Sequence, residues 1–140
     1  MALEKLVIHS TETPFGIEVD LESIESEHLE KGFKNIGFSD VIDFEGNIES
    51  TARLYDFKNG EKPHDWGIPN SRHIAYIGGI SEDTFNIEDT RTVEQQETLE
   101  IYVEFMKRRH PKLEVIDHTR TSIISSVLEE QTQTQKTFLS

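Results

Sequence analysis

The sequence contains no cysteine in 140 residues. That excludes a disulfide framework, a thiolate nucleophile and any thiolate metal ligand, and leaves six histidines and the carboxylates as the possible metal donors. Positive charge is scarce as well: 14 Lys and Arg stand against 27 Asp and Glu, a formal net charge of −13, with a pI near 4.8. Such a field repels phosphate backbones and anionic lipid, so neither nucleic acid nor a membrane is expected as a partner. Long hydrophobic runs are missing too, so no transmembrane segment is expected. Met1-Ala2-Leu3-Glu4-Lys5 has neither the basic start nor the apolar core of a signal peptide, which predicts a chain that begins in a cytoplasm. At 16.1 kDa the length suits one domain with a real core.

What is present alternates between strand and helix patterns. Leu6-Val7-Ile8-His9 reads as a buried strand that opens into the polar loop Ser10-Thr11-Glu12-Thr13-Pro14. Leu21, Ile24, His28 and Leu29 recur at helical spacing behind Asp20 as N-cap, with Glu27 and Lys31 as an i,i+4 pair and Gly32 as terminator. Residues 38–44 and 48–52 read as two strands joined by a tight turn at Glu45-Gly46-Asn47. Residues 55–70, with Pro63, Pro69 and the sole tryptophan, Trp66, read as a long structured loop. Ile74-Ala75-Tyr76-Ile77 before Gly78-Gly79 is a candidate central strand. Thr92 opens the clearest helix: Leu99, Tyr102, Val103 and Met106 form its apolar stripe, its acids lie early and its bases late, and Pro111 enforces the stop. Residues 113–118 read as a last strand, and residues 129–137 carry no apolar side chain and read as a solvated tail tipped by Phe138 and Leu139. The predicted class is α/β: a single domain with a mixed central β-sheet flanked by helices over residues 1–128, followed by a polar C-terminal tail, 129–140.

Two strands each end in a histidine, His9 and His118, far apart in sequence. A metal site, an acid–base pair and ordinary edge histidines all share that pattern, and two ligands do not hold a catalytic zinc, which takes three protein ligands and a water. His28, between Ile24 and Leu29, reads as a packing residue; His64 and His110 lie in loop-like contexts, and His73 precedes the Ile74 strand as a lesser candidate.

Taken in order, Leu6-Val7-Ile8-His9-Ser10, Ile24 to Phe33, Ile36-Gly37-Phe38-Ser39-Asp40-Val41-Ile42, Glu45-Gly46-Asn47-Ile48, Asn70-Ser71, Ile74 to Ile80, Thr92-Val93-Glu94-Gln95 and Val115-Ile116-Asp117-His118 resemble the phage N-acetylmuramoyl-L-alanine amidases. These are the bacteriophage-lysozyme-type enzymes related to peptidoglycan-recognition proteins. The resemblance spans roughly residues 4–126. It implies a zinc held by a histidine ending the first strand, a histidine ending the last, and a cysteine eight residues further on. His9 and His118 match the first two, and the third position falls on Ser126, whose hydroxyl is far harder to deprotonate than a thiol. The family's catalytic tyrosine falls on Phe38, and its oxyanion-stabilising group, two residues before the cysteine, falls on Ile124. One metal ligand and two catalytic groups are therefore missing together, with Asp40 and Asp117 as the carboxylates available to compensate.

The resemblance thus implies a degenerate amidase, a pseudoenzyme of phage origin with a vestigial metal pair and no resident cofactor. Its expected role is structural or binding, as a component of the phage particle or an accessory to its assembly. Its partners would be other phage structural proteins or a second copy of the chain, met through residues 129–140, and its location the particle or the host cytoplasm. The alternatives are an active zinc amidase (endolysin) cleaving peptidoglycan and a non-catalytic module that binds a muropeptide. The net charge of −13 favours the inactive readings, because anionic wall polymers repel an acidic protein.

Overall fold

The structure, a computed structural model, describes residues 3–51 and 66–118. The C-terminal tail and the positions Ile124 and Ser126 lie outside the described residues, as do His64 and most of the 55–70 loop. The elements run β1 (Lys5–Ser10), β2 (Thr13–Pro14), α1 (Leu21–Glu30), β3 (Asp40–Ile42), β4 (Ile48–Ser50), β5 (Ser71–Tyr76), β6 (Gly79–Ile80), α2 (Val93–Arg109) and β7 (Glu114–Asp117). Five strands form a mixed sheet in the order β4-β3-β5-β1-β7, parallel except for the antiparallel β3–β4 pair. No helix among the described residues is long and apolar enough to cross a membrane.

The central strands explain the short apolar runs of the sequence. β1 lies between β5 and β7, so Leu6, Val7 and Ile8 are all buried, the pattern of a parallel strand covered on both faces. Alternate residues sort into two cores. Leu6, Ile8, Ile42, Ile74 and Tyr76 pack with Leu99 and Met106 of α2. Val41, Ala75 and Ile77 pack with Ile24 of α1 and with Ile36 and Phe38. The two helices therefore cover opposite faces of the sheet, and β1 carries His9 on the α1 side, beside Ala75 of β5.

Both helices begin as the sequence predicts. Asp20 caps α1 by accepting from the Ser23 N–H at 2.8 Å, and the helix ends at Lys31 with Gly32 at φ +96°. Thr92 and Gln95 form a reciprocal capping box at the start of α2. Gln95 is fully buried, and its side-chain amide also donates to the carbonyls of Ile42 and Ile77, which ties the helix start to the ends of β3 and β5. Leu29, read in the apolar stripe of α1, is exposed instead.

Two features differ from expectation. The polar loop after β1 contains the two-residue strand β2, which pairs in parallel with β6. The pairing brings Gly79 against Ser10: a Cβ at Gly79, whose φ is +101°, would stand closer to the Ser10 hydroxyl than any non-bonded atoms can approach. The central strand also begins three residues earlier than its apolar run, at Ser71, so His73 lies inside β5 rather than ahead of it.

Candidate functional site

The register of the sheet assembles the histidines. β1 and β7 run parallel with Ile8 beside Asp117, so one further step sets His9 abreast of His118, and their ring centroids lie 5.2 Å apart. On the other side β5 places Ala75 next to His9 and His73 two residues back on the same face. Here the imidazoles touch: His9 Nε2 lies 2.8 Å from His73 Nδ1. His73 is fully buried, and its Nε2 meets the Ser71 hydroxyl at 2.6 Å. Ser71 in turn donates to the Ile68 carbonyl at 2.6 Å.

Aromatic rings enclose the cluster. Trp66 stacks on Phe38 at 5.6 Å with planes 11° apart, and both lie against His9, at 4.6 and 5.3 Å. His28 of α1 is buried edge-on to Phe38 at 4.9 Å, and its Nδ1 accepts the Gly37 N–H at 2.8 Å, so it packs as the sequence predicts. The Trp66 indole N–H donates to the Gly37 carbonyl at 3.0 Å. Gly37 is thus held from both sides and has no room for a side chain: a Cβ there would lie 2.8 Å from the Trp66 ring and 3.1 Å from Phe33. Gly37→Ala is expected to displace the indole at a cost of about 1–3 kcal/mol, the usual range for overpacking. Trp66 is the only tryptophan, so a shift in intrinsic fluorescence with unchanged far-ultraviolet dichroism is the result that checks it.

The carboxylates that offered themselves as substitute ligands are engaged on the opposite face. Asp40 accepts from Arg72 Nη2 at 3.0 Å, the Tyr102 hydroxyl at 2.8 Å and the Ser50 hydroxyl at 2.8 Å. Burial pushes the Tyr102 hydroxyl well above the ordinary tyrosine range; Asp40 adds to the shift and Arg72 opposes it. Asp117 is paired with Arg91, which also binds Asp89 and lies over the Tyr76 ring at 4.9 Å. Burial works against the Arg91 charge, yet Asp117 and Asp89 hold its pKa above the ordinary arginine value. Asp40 and Asp117 therefore do not complete a site with His9 and His118, a correction to the compensation the sequence allowed.

Solved structures of known proteins share the fold of this chain. N-acetylmuramoyl-L-alanine amidase LysC from Clostridium intestinale URNW superposes with a TM-score of 0.58 at 17% identity, over 86% of this chain and 72% of that one. PGRP-SA of Apis mellifera superposes at 0.56 with 19% identity, over 84% and 71%, and bumblebee PGRP-SA at 0.53 with 19% identity, over 84% and 70%. The chain has the amidase/PGRP fold. No family model and no curated sequence matches it, and at such identities the shared feature is the fold alone.

An amidase fold raises the question of zinc. Among the described residues no group of three or more His, Cys, Asp or Glu side chains is placed to hold a metal ion. His9 and His118 are adjacent, one of the two ring nitrogens of His9, Nε2, is hydrogen-bonded to His73, and the carboxylates of Asp40 and Asp117 are held by arginines on the opposite face. The described donor set does not fit a three-ligand zinc centre.

His73 and Trp66 are the site residues that sequence reasoning undervalued. The signal for His73 was the two-residue period itself: continued upstream from Ile77 and Ala75, it places residue 73 on the face that holds His9. For Trp66, nothing within the 55–70 loop pointed to Phe38.

Proposed function

We propose that this chain is a degenerate amidase, of phage origin, that keeps the amidase fold and its histidine-lined face but binds a muropeptide without hydrolysing it. The observation that carries this reading is Phe38. The sequence resemblance puts a catalytic tyrosine at that position; the residue present is a phenyl ring, 3% exposed and stacked on Trp66, with no hydroxyl to pass a proton. The cysteine-free sequence supports the reading, as does the engagement of His9, Asp40 and Asp117 by partners within the fold. Losing a single oxyanion donor costs an amide-cleaving site about 100- to 1000-fold in rate. Loss of a metal ligand and a proton relay as well leaves no useful turnover.

Binding needs less than catalysis. The indole of Trp66 is only half-buried beside His9, and a ring of this kind offers a sugar or peptide an apolar face with a polar edge. Titrating the full chain with a soluble muropeptide in a calorimeter is expected to give saturable binding in the micromolar range, with the ligand recovered intact. Absence of binding would return the role to contact with a phage-particle partner or a second copy through residues 129–140. Release of stem peptide that disappears in His118→Ala would establish an active zinc amidase and overturn the proposal.

A further inference from the structure

Charge is divided between the two ends of the sheet. Residues 6–30 and 73–90 contain no lysine or arginine, and they meet beyond the ends of β1 and β5, where β2 pairs with β6. Pro14 lies beside Ile80, and Ile80 beside Ile87, so an apolar row crosses three backbones. Ile17 and Phe85 flank the row through the turns that close on Pro14 and Ser81. Phe85 has φ +59°, a conformation that bulky side chains rarely adopt, and its N–H is tied to the Ser81 carbonyl at 2.9 Å. Its ring is 71% exposed, and Ile87 and Ile17 are 56% and 55% exposed. The same turns carry Glu12, Glu18, Glu82, Asp83 and Glu88, all exposed and none in an ion pair among the described residues.

The opposite end has the complementary composition. α2 starts at the ends of β3 and β5, where Gln95 holds the Ile42 and Ile77 carbonyls, and finishes where β7 begins beside the start of β1. Lys107, Arg108, Arg109 and Lys112 gather there, all exposed, and Glu104 pairs with Arg108 alone. Ile101 and Phe105 lead into this cluster one turn apart on the outer face of α2, 69% and 55% exposed, and the Arg109 guanidinium lies 5.8 Å over the Phe105 ring. Five of the eight large apolar side chains left exposed thus belong to these two ends, which marks both as contact surfaces. We propose that each covers the other between copies of this chain, the acidic apolar end of one molecule docking head to tail on the basic end of α2 of the next. Opposite ends of one sheet cannot meet within a molecule, and such a heterologous contact leaves a free end on each side, so it closes into a ring or grows into a filament. The net charge of −13 opposes the approach of two copies, but beyond about 10 Å salt screens it, and at contact the local pairing of carboxylates with Lys107, Arg109 and Lys112 sets the register.

Sedimentation equilibrium of the full chain, from about 10 to about 500 μM at about 0.15 M salt, tests the contact. The mean mass is expected to rise steadily with concentration above the 16.1 kDa of one chain. Phe85→Ser and Phe105→Gln, one at each end, are each expected to lower the association constant by at least about tenfold, the usual effect of one central aromatic anchor. Mixed in equal amounts, the two variants should associate again but stop at pairs, because each molecule keeps one intact end. Arg109→Glu should weaken association as Phe105→Gln does. Should a variant fail to fold by circular dichroism, Glu82→Lys and Lys112→Glu repeat the comparison through exposed charges alone. A chain that keeps the mass of a monomer throughout, a variant that associates as well as the unsubstituted chain, or a mixture no more associated than its components would overturn the proposal. The contact does not depend on muropeptide binding, and either can fail alone.

Discussion

Phe38→Tyr, Ile124→Lys and Ser126→Cys together are expected to give a chain that holds one zinc ion per molecule through dialysis, where the unsubstituted chain is expected to lose it. The sequence resemblance supplies the correspondence, and the energetics supply the size. A zinc held by protein side chains contributes on the order of 10 kcal/mol in small structural sites. The hydrogen bond at His9 Nε2 is worth only about 1 kcal/mol and engages one of two ring nitrogens, so it is no obstacle on that scale. Most of the gain should come from Ser126→Cys, because a thiolate is a metal donor, whereas the hydroxyl and the amine introduced by the other two substitutions would act on bound substrate and not on the metal. Retained zinc should also raise the melting temperature, since a ligand present at about 1000 times its Kd stabilises the folded state by about 4 kcal/mol. Elemental analysis after dialysis checks the prediction. A triple variant that folds and holds no metal would contradict the correspondence at residues 118–126.

Asp40→Ala is expected to be the most damaging single substitution outside the two apolar cores. The carboxylate side chain is 5% exposed and is bonded to Arg72, Tyr102 and Ser50, which come from β5, α2 and β4. Its removal leaves a partly buried guanidinium without its counter-charge and detaches the Tyr102 hydroxyl from its acceptor. Breaking one partner of a buried ion pair costs about 3–5 kcal/mol. Arg72 retains 28% exposure and recovers some solvation, so the lower end of that range applies, and a fall in melting temperature of roughly 10 °C follows. Asp40→Asn keeps the shape and part of the hydrogen bonding and should lose less. Thermal unfolding followed by circular dichroism compares the two, and equal losses would mean that the charge of Asp40 contributes nothing. Because Asp40 lies on the face away from His9, neither change is expected to alter muropeptide binding by folded protein.

The main elements were legible because their physics is local. Asp20 and Thr92 announce their helices by accepting hydrogen bonds from nearby N–H groups, and Leu6-Val7-Ile8 announces a strand buried on both faces. What escaped sequence reading depends on contacts between distant segments. The Thr13–Pro14 strand exists only because Gly79–Ile80 lies beside it. Nothing local to the Thr92–Gln95 helix start shows that Gln95 is fully buried, where two carbonyls 53 and 18 residues away accept from it. The same distinction runs through the site. His9 and His118 were visible as histidines at the ends of strands, but the adjacency of their rings depends on β7 pairing with β1 rather than elsewhere in the sheet. His73 ranks only as a lesser candidate in the sequence because the strand reads as beginning at the first apolar residue, Ile74, whereas it begins at Ser71. Asp40 and Asp117 seemed available by type, and only the faces they occupy reveal that Arg72 and Arg91 hold them.

The central claim is that an amidase fold here binds without cutting, and peptidoglycan digestion tests it most directly. Purified wall material is incubated with the full chain and excess zinc, and released stem peptide is separated chromatographically beside an active amidase as reference. The account predicts release no greater than in buffer, at least about 1000-fold below the reference, as expected when an oxyanion donor and a proton relay are both missing. Release of stem peptide at a rate comparable to the reference, abolished by His118→Ala, would contradict it.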